Sequence, residues 1–216
     1  MDIEYFYAAH SAFAYLGSRC LTEIAARSGC RIVHRPIQLE RVIAGAGIAH
    51  WGQRSAVHMQ YYFGREMERW NEYRGTSMMI GFPKYHGNDY GRANRLIIAV
   101  SARDLNTNAL SHGLLEAHWR DDADLADEST LLRHARAVCR DADTLLAAAD
   151  SPEVRAIYEA NTQEAISRSV FGSPTYFIDG DMFYGQDRLE LLERTLTKRF
   201  KGNWPRREGE ALGRLV

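Results

Sequence analysis

The 216-residue sequence has only three cysteines, Cys20, Cys30 and Cys139, far apart along the chain. They form no CxxC, no disulfide framework and no cluster at metal-ligand spacing, so free buried thiols in a reducing cytoplasm are expected. No run of 18 apolar residues occurs, which leaves no candidate transmembrane helix. Charge of one sign is also lacking: 27 Lys+Arg stand against 28 Asp+Glu, for a net charge of −1. Broad electrostatic attraction to nucleic acid or an anionic membrane is therefore not expected. The opening residues Met1-Asp2-Ile3-Glu4 carry acids where a secretory leader would be basic. His34, His50, His58 and His86 show no HxxxH or HxH spacing, so a metal enzyme is a weak reading. No internal repeat is visible.

What is present is a readable order of elements. Residues 3–8 are rich in Tyr, Phe and Ile and predict a strand. After a turn at His10-Ser11-Ala12, the apolar residues Phe13, Leu16, Cys20 and Ile24 recur at helical spacing up to Ser28-Gly29, a natural stop. Arg31-Ile32-Val33-His34-Arg35, closed by Pro36, predicts a second strand, parallel to the first. From about residue 40 to 168 the pattern is mostly helical, with one stripe on Met59, Tyr62, Phe63, Met67 and Trp70 and another on Leu131, Leu132, Ala135 and Val138. Residues 74–91, rich in Gly, Pro, Tyr and His, have no period and predict a long loop, which in a compact domain is more often functional than idle. Thr175–Ile178 and Met182–Tyr184 then flank Asp179-Gly180, a hairpin signature. A last helix comes next, for which Asp187 is the expected cap and Glu190 its reciprocal partner.

Two local features carry candidate chemistry. Ser11 falls between the first strand and the first helix, where free N–H groups favour a bound anion, although an ordinary capping serine explains the same position. Phe171-Gly172-Ser173-Pro174-Thr175 leads directly into a strand and implies a tight corner.

Together with the order of elements, the segment Val170–Gly180 resembles the disulfide-bond-forming branch of the thioredoxin superfamily. Where dithiol members carry CxxC, this chain has Ser11-Ala12-Phe13-Ala14, and a hydroxyl neither attacks nor resolves a disulfide. The closer resemblance is to the 2-hydroxychromene-2-carboxylate isomerases and kappa-class glutathione transferases. It is carried by Ser11 to Leu16, by Arg69-Trp70, by Phe82-Pro83 and by Tyr184-Gly185-Gln186-Asp187-Arg188. Ala12 stands where those families have proline, Ala8-Ala9-His10 replace acidic and apolar residues, and Gln186 replaces Asn or Ser.

The resemblance implies an α/β thioredoxin-like fold with a large helical insertion. Residues 1–39 and 169–200 would make a discontinuous thioredoxin-like domain, 40–168 the insertion and 201–216 a tail. It implies a cytoplasmic homodimer that uses glutathione as cofactor, and a cis Ser173–Pro174 bond. Ser11 would be the catalytic residue, its hydroxyl supporting a glutathione thiolate. Ser173, Pro174, Tyr184, Gly185, Gln186 and Asp187 would complete the cofactor site. A small aromatic carboxylate would meet Lys84, Tyr85, Trp70, His86 and Arg41, although the helical stripe that carries Trp70 favours a core position for it. The implied reaction opens a bicyclic hemiketal acid, 2-hydroxychromene-2-carboxylate or a relative, to the trans-o-hydroxybenzylidenepyruvate. A kappa-type transferase or peroxidase and a non-catalytic thioredoxin-fold binding protein are the alternatives.

Overall fold

The computed structural model describes residues 1–48, 51–202 and 204–205. His50 and most of the segment 201–216 therefore lie outside the described residues.

The chain opens with β1 (Asp2–Tyr7), α1 (Ala12–Ser28) and β2 (Arg31–Pro36). Side chains of a strand alternate between faces. Ile3, Tyr5 and Tyr7 accordingly point into one apolar cluster with Tyr176, whereas Phe6 joins Phe177, Ile37 and Val42 in a second. Burial on both faces explains why β1 is apolar throughout its second half. Gly29, at φ 62°, ends α1, its N–H bonding back to the carbonyls of Ala25 and Ala26.

The insertion is helical: α2 (Leu39–Gly45), α3 (Ala56–Gln60), α4 (Glu66–Arg74), α5 (Gly91–Ser101), α6 (Thr107–Asp121), α7 (Glu128–Arg136), α8 (Ala142–Ala148) and α9 (Pro152–Ser167). Side-chain caps begin several of them, among them Asn106, Asp127, Asp141 and Ser151. Residues 75–90 form the long non-helical connection expected from their composition. A five-residue π turn, Tyr61–Arg65, joins α3 to α4. Its wider spacing rotates α4 relative to α3, so Met59 and Tyr62 face one way and Trp70 another.

The chain closes with β3 (Thr175–Ile178), β4 (Asp181–Tyr184) and α10 (Leu189–Thr197). Among the described residues, the strands lie in one four-stranded sheet of order β2-β1-β3-β4. β1 and β2 are parallel; β1–β3 and β3–β4 are antiparallel. Asp179 (φ 49°) and Gly180 (φ 87°) supply the two left-handed residues of the hairpin turn.

Two expectations are corrected. Asp187 does not cap α10: it lies in a 3-10 turn, Gln186–Arg188, and the residue before α10 is Arg188, without a side-chain cap. Glu190 is drawn to Arg74 instead, at 2.9 Å. The three cysteines are free, but each is only partly buried.

Candidate active site

Ser11 sits where β1 turns into α1, and its extended backbone (φ −75°, ψ 123°) makes it the N-cap. Its Oγ accepts a hydrogen bond from the Ala14 N–H at 3.3 Å and donates one to the Ser173 carbonyl oxygen at 3.2 Å. The Ser173 Oγ in turn accepts from the Ala8 N–H at 3.1 Å. Ser173–Pro174 is cis. Thr175 Oγ1 donates to the Gly172 carbonyl and the Gly185 N–H to that of Pro174, both at 2.9 Å, which fixes both ends of this corner. The two segments singled out in the sequence, 162 residues apart, thus meet side by side.

They border a cavity of about 160 Å³. Its walls are largely aromatic, with Phe13 from α1, Tyr62 and Phe63 from the π turn, Phe82 and His86 from the long connection and Trp119 from α6. Phe63 and Phe82 touch at 5.5 Å between ring centres, and Phe13 lies 4.8 Å from Tyr62, so the insertion roofs the serine. Tyr184, at the end of β4, closes the side next to Ser173 and is hydrogen-bonded to Tyr62, whose phenol burial pushes well above its ordinary pKa. Among the described residues, none that lines the cavity is Lys or Arg.

Among the described residues, the only lining groups that could gain positive charge are His10 and His86. The His10 ring stacks on Tyr90 at 3.7 Å, its carbonyl accepts the Trp119 indole N–H at 2.8 Å, and its Nδ1 is buried without a partner. Burial and the neighbouring imidazoles push the pKa of His10 well below the usual value. Burial likewise lowers that of His86 to about 4, so both rings are neutral near pH 7.

Among the expected cofactor residues, Ser11, Ser173 and Tyr184 border the cavity, and Pro174 lies directly behind Ser173. Gly185, Gln186 and Asp187 form the next corner along and do not line it. Gln186 is fully buried: its side-chain oxygen accepts from Arg74 Nε at 3.0 Å, its carbonyl accepts from the same guanidinium at 3.1 Å, and its Nε2 has no partner. Asp187 pairs with Arg188 at 3.3 Å and remains accessible.

Of the expected substrate residues, His86 alone lines the cavity. Arg41 is exposed and paired with Glu159 at 2.6 Å. Trp70 packs partly against the core with Arg74 over its ring at 5.2 Å, in a separate surface groove with Arg65 and Tyr73. Lys84 is exposed over the Tyr85 ring, which belongs to a different depression beside Asp122 and Asp124. Phe13, Tyr62 and Phe63 were legible as apolar spacing but not as cavity walls; Trp119 and Tyr90 carried no signal at all. Among the described residues no cluster of His, Cys, Asp and Glu could hold a metal ion, and no helix is long and apolar enough to cross a membrane.

A serine-capped helix beside a cis-proline corner, with a helical insertion over both, defines a class: the chain belongs to the DSBA-like thioredoxin domain family, which it matches over residues 2–197. Within that class it is isomerase-like. It is 29% identical over 195 residues to the 2-hydroxychromene-2-carboxylate isomerase of Sphingobium xenophagum, covering 90% of this chain and 97% of the relative. To the isomerase of the same name from Pseudomonas putida it is 25% identical, covering 94% and 98%. The solved structure of a 2-hydroxychromene-2-carboxylate isomerase superposes with a TM-score of 0.80 at 25% identity, covering 91% of this chain and 95% of the other. The cytosolic disulfide reductase DsbM from Pseudomonas aeruginosa, solved with GSH, shares the fold at TM-score 0.62 and 16% identity, covering 91% and 100%.

Proposed function

We propose that this chain is a glutathione-dependent isomerase of 2-hydroxychromene-2-carboxylate or a closely related bicyclic hemiketal acid. The observation that carries the reading is Ser11: a hydroxyl at the N-terminus of a 17-residue helix, facing an aromatic cavity. Such a position favours an anion through the free N–H groups and the helix dipole.

The residues present suit glutathione. Bound glutathione would supply a thiolate able to add reversibly to a conjugated double bond, leaving that bond free to rotate. Ser11 holds the sulfur as an anion by donating its hydroxyl proton, which means giving up its bond to the Ser173 carbonyl. That carbonyl is then free to accept an N–H from the cysteinyl part of the tripeptide. Asp187, accessible at the far corner, suits the γ-glutamyl ammonium. Gln186 reaches a ligand only if the grip of Arg74 on it relaxes. The aromatic walls suit a flat bicyclic acid.

Dithiol exchange does not fit, since the positions of the CxxC motif hold Ser11 and Ala14, and the nearest thiol in sequence, Cys20, lies further along α1. The test is absorbance-monitored conversion of 2-hydroxychromene-2-carboxylate with and without glutathione. Turnover that requires glutathione, with no glutathione consumed, supports the isomerase. Accumulation of a glutathione conjugate would instead indicate the transferase alternative, and turnover without glutathione would sink the cofactor assignment.

A further inference from the structure

A chain of hydrogen bonds leads out of the cavity, and the thiolate role of Ser11 makes no use of it. His86 Nδ1 lies 2.9 Å from His118 Nε2, and His118 Nδ1 lies 3.0 Å from the carbonyl oxygen of Ala123. A carbonyl can only accept, so His118 carries its proton on Nδ1. His118 is buried to 1% exposure at the end of α6, and burial lowers its pKa, so the ring is neutral and its Nε2 bears a lone pair. His86 must then donate from Nδ1, which leaves its own Nε2 unprotonated. Among the described residues, nothing donates a hydrogen bond to that nitrogen. The Ala123 carbonyl is itself placed by its residue's N–H, which bonds to the Ala117 carbonyl at 2.9 Å. The ring of His86 is wedged between Phe82, Trp119 and His10 at 5.0 to 5.2 Å between centres, so its orientation is set by packing as well.

We propose that His86 is the general base of this site, with His118 and the Ala123 carbonyl as positioning groups that hold it in the Nδ1–H tautomer. The role rests on the isomerase reading and deepens it. A substrate carrying a hydroxyl and a carboxylate on one carbon next to a ring oxygen must lose the hydroxyl proton to open. The proton passes to His86 Nε2, the oxygen's electron pair forms the ketone, and the ring C–O bond breaks. The ring oxygen leaves as a phenolate and takes the proton back from His86. Nothing is oxidised or consumed.

Burial makes His86 by itself a weak base, and a bound anionic substrate corrects this. A carboxylate entering a half-open cavity none of whose described lining residues is Lys or Arg favours the imidazolium. The groups that face His86 are His10 from the turn before α1 and His118 from α6, both neutral; Asp122 and Asp124 act on His118 from its far side. The base thereby strengthens only when the acid it serves is present. His10 is the competing candidate, but its Nδ1 is buried without a partner among the described residues, so nothing at that nitrogen fixes its tautomer.

Nitrogen-15 NMR of the imidazoles tests the relay in the glutathione-free protein: His86 should carry its proton on Nδ1, and a proton on Nε2 would overturn the proposal. H86Q should lower kcat about 100-fold and remove the acid limb of the kcat profile, with KM for glutathione unchanged. Wild-type kcat in H86Q, or an acid limb abolished by H10N and retained in H86Q, would also overturn it. H118F should release the tautomer and lower kcat about 10-fold, whereas H118Q, whose side-chain oxygen can still accept from His86, should recover most of it. If H118F does not fold, the wild-type spectrum and H118Q decide the matter. No turnover by wild type with glutathione present would refute the isomerase reading, and the base role with it, while the spectrum would still report the tautomer.

Discussion

The Ser11 hydroxyl donates its proton to the main-chain oxygen of Ser173 at 3.2 Å, and both groups border one cavity. Each is therefore the other's placeholder. A ligand with a thiolate and an adjacent N–H replaces one bond by two. The serine that caps α1 and the serine meant to hold the sulfur are the same residue, so its replacement has two separable costs.

S11A should raise the pKa of bound glutathione by one to two units, taking a hydrogen bond to a charged group as about 1.5–3 kcal/mol. Isomerase kcat should fall by roughly 10- to 100-fold near neutral pH by the same arithmetic. Loss of the cap should cost about 1 kcal/mol of stability. Thiolate absorbance across pH reads the first effect and urea unfolding the last. An unchanged thiolate pKa would remove Ser11 from its proposed role.

Gly17 lies inside α1, where alanine ordinarily stabilises. Here a Cβ would fall 2.7 Å from the Gln186 Cβ and 3.2 Å from the Tyr176 hydroxyl. The first of these is not the end of a flexible chain, so it cannot swing aside. Overpacking of this kind costs about 1–3 kcal/mol and outweighs the propensity gain of about 1 kcal/mol. G17A should lower the unfolding midpoint; a raised midpoint would show that the corner at Gln186 yields.

Arg74, at the end of α4, holds both the side-chain oxygen and the carbonyl of Gln186. R74A strips two buried acceptors of their donor, for a loss of about 2–6 kcal/mol at 1–3 kcal/mol per orphaned group. The bond to half-exposed Glu190 adds little. R74K should recover less than half, because an ammonium cannot fork between the two oxygens. Denaturant midpoints of the three proteins would settle the order.

His34, partly buried in β2, bonds through Nδ1 to Tyr7 and through Nε2 to Asn108. Burial lowers its pKa from 6.5 to about 4. Between those values the unfolded chain binds a proton that the folded chain does not. Stability should therefore fall as pH drops from 6.5 towards 4, by up to about 3 kcal/mol at 1.36 kcal/mol per unit. H34Q should flatten that slope. An unaltered slope would assign it to other groups, His10 first among them.

Much of the scaffold was legible because its signals are local. Richness in Tyr, Phe and Ile marked β1, Gly29 ended α1, and Asp179-Gly180 turned the hairpin. The meeting of Ser11 with Ser173 followed from the resemblance. The rest was hidden for physical reasons. A π turn at Tyr61–Arg65 breaks the 3.6-residue period, so the stripe through Met59 and Trp70 divides between a cavity and an outer groove. Helix-start chemistry pointed to Asp187 as a cap, but a 3-10 turn intervenes and Arg74 claims Glu190. His86 and His118 lie 32 residues apart, one in an aperiodic loop and one in a helix, and no spacing rule connects them.

The order β2-β1-β3-β4 has one more outcome, in time. The strand at the heart of the sheet beside β1 is β3, from the last fifth of the chain. A ribosome releasing this protein delivers Ser11 early and its counterpart Ser173 some 160 residues later. Throughout that interval the helices are being made and can fold over a half-built floor. The Ser11–Ser173 pair can therefore close only when the final hairpin zips in, so the chemistry proposed for it has to wait for a nearly finished molecule.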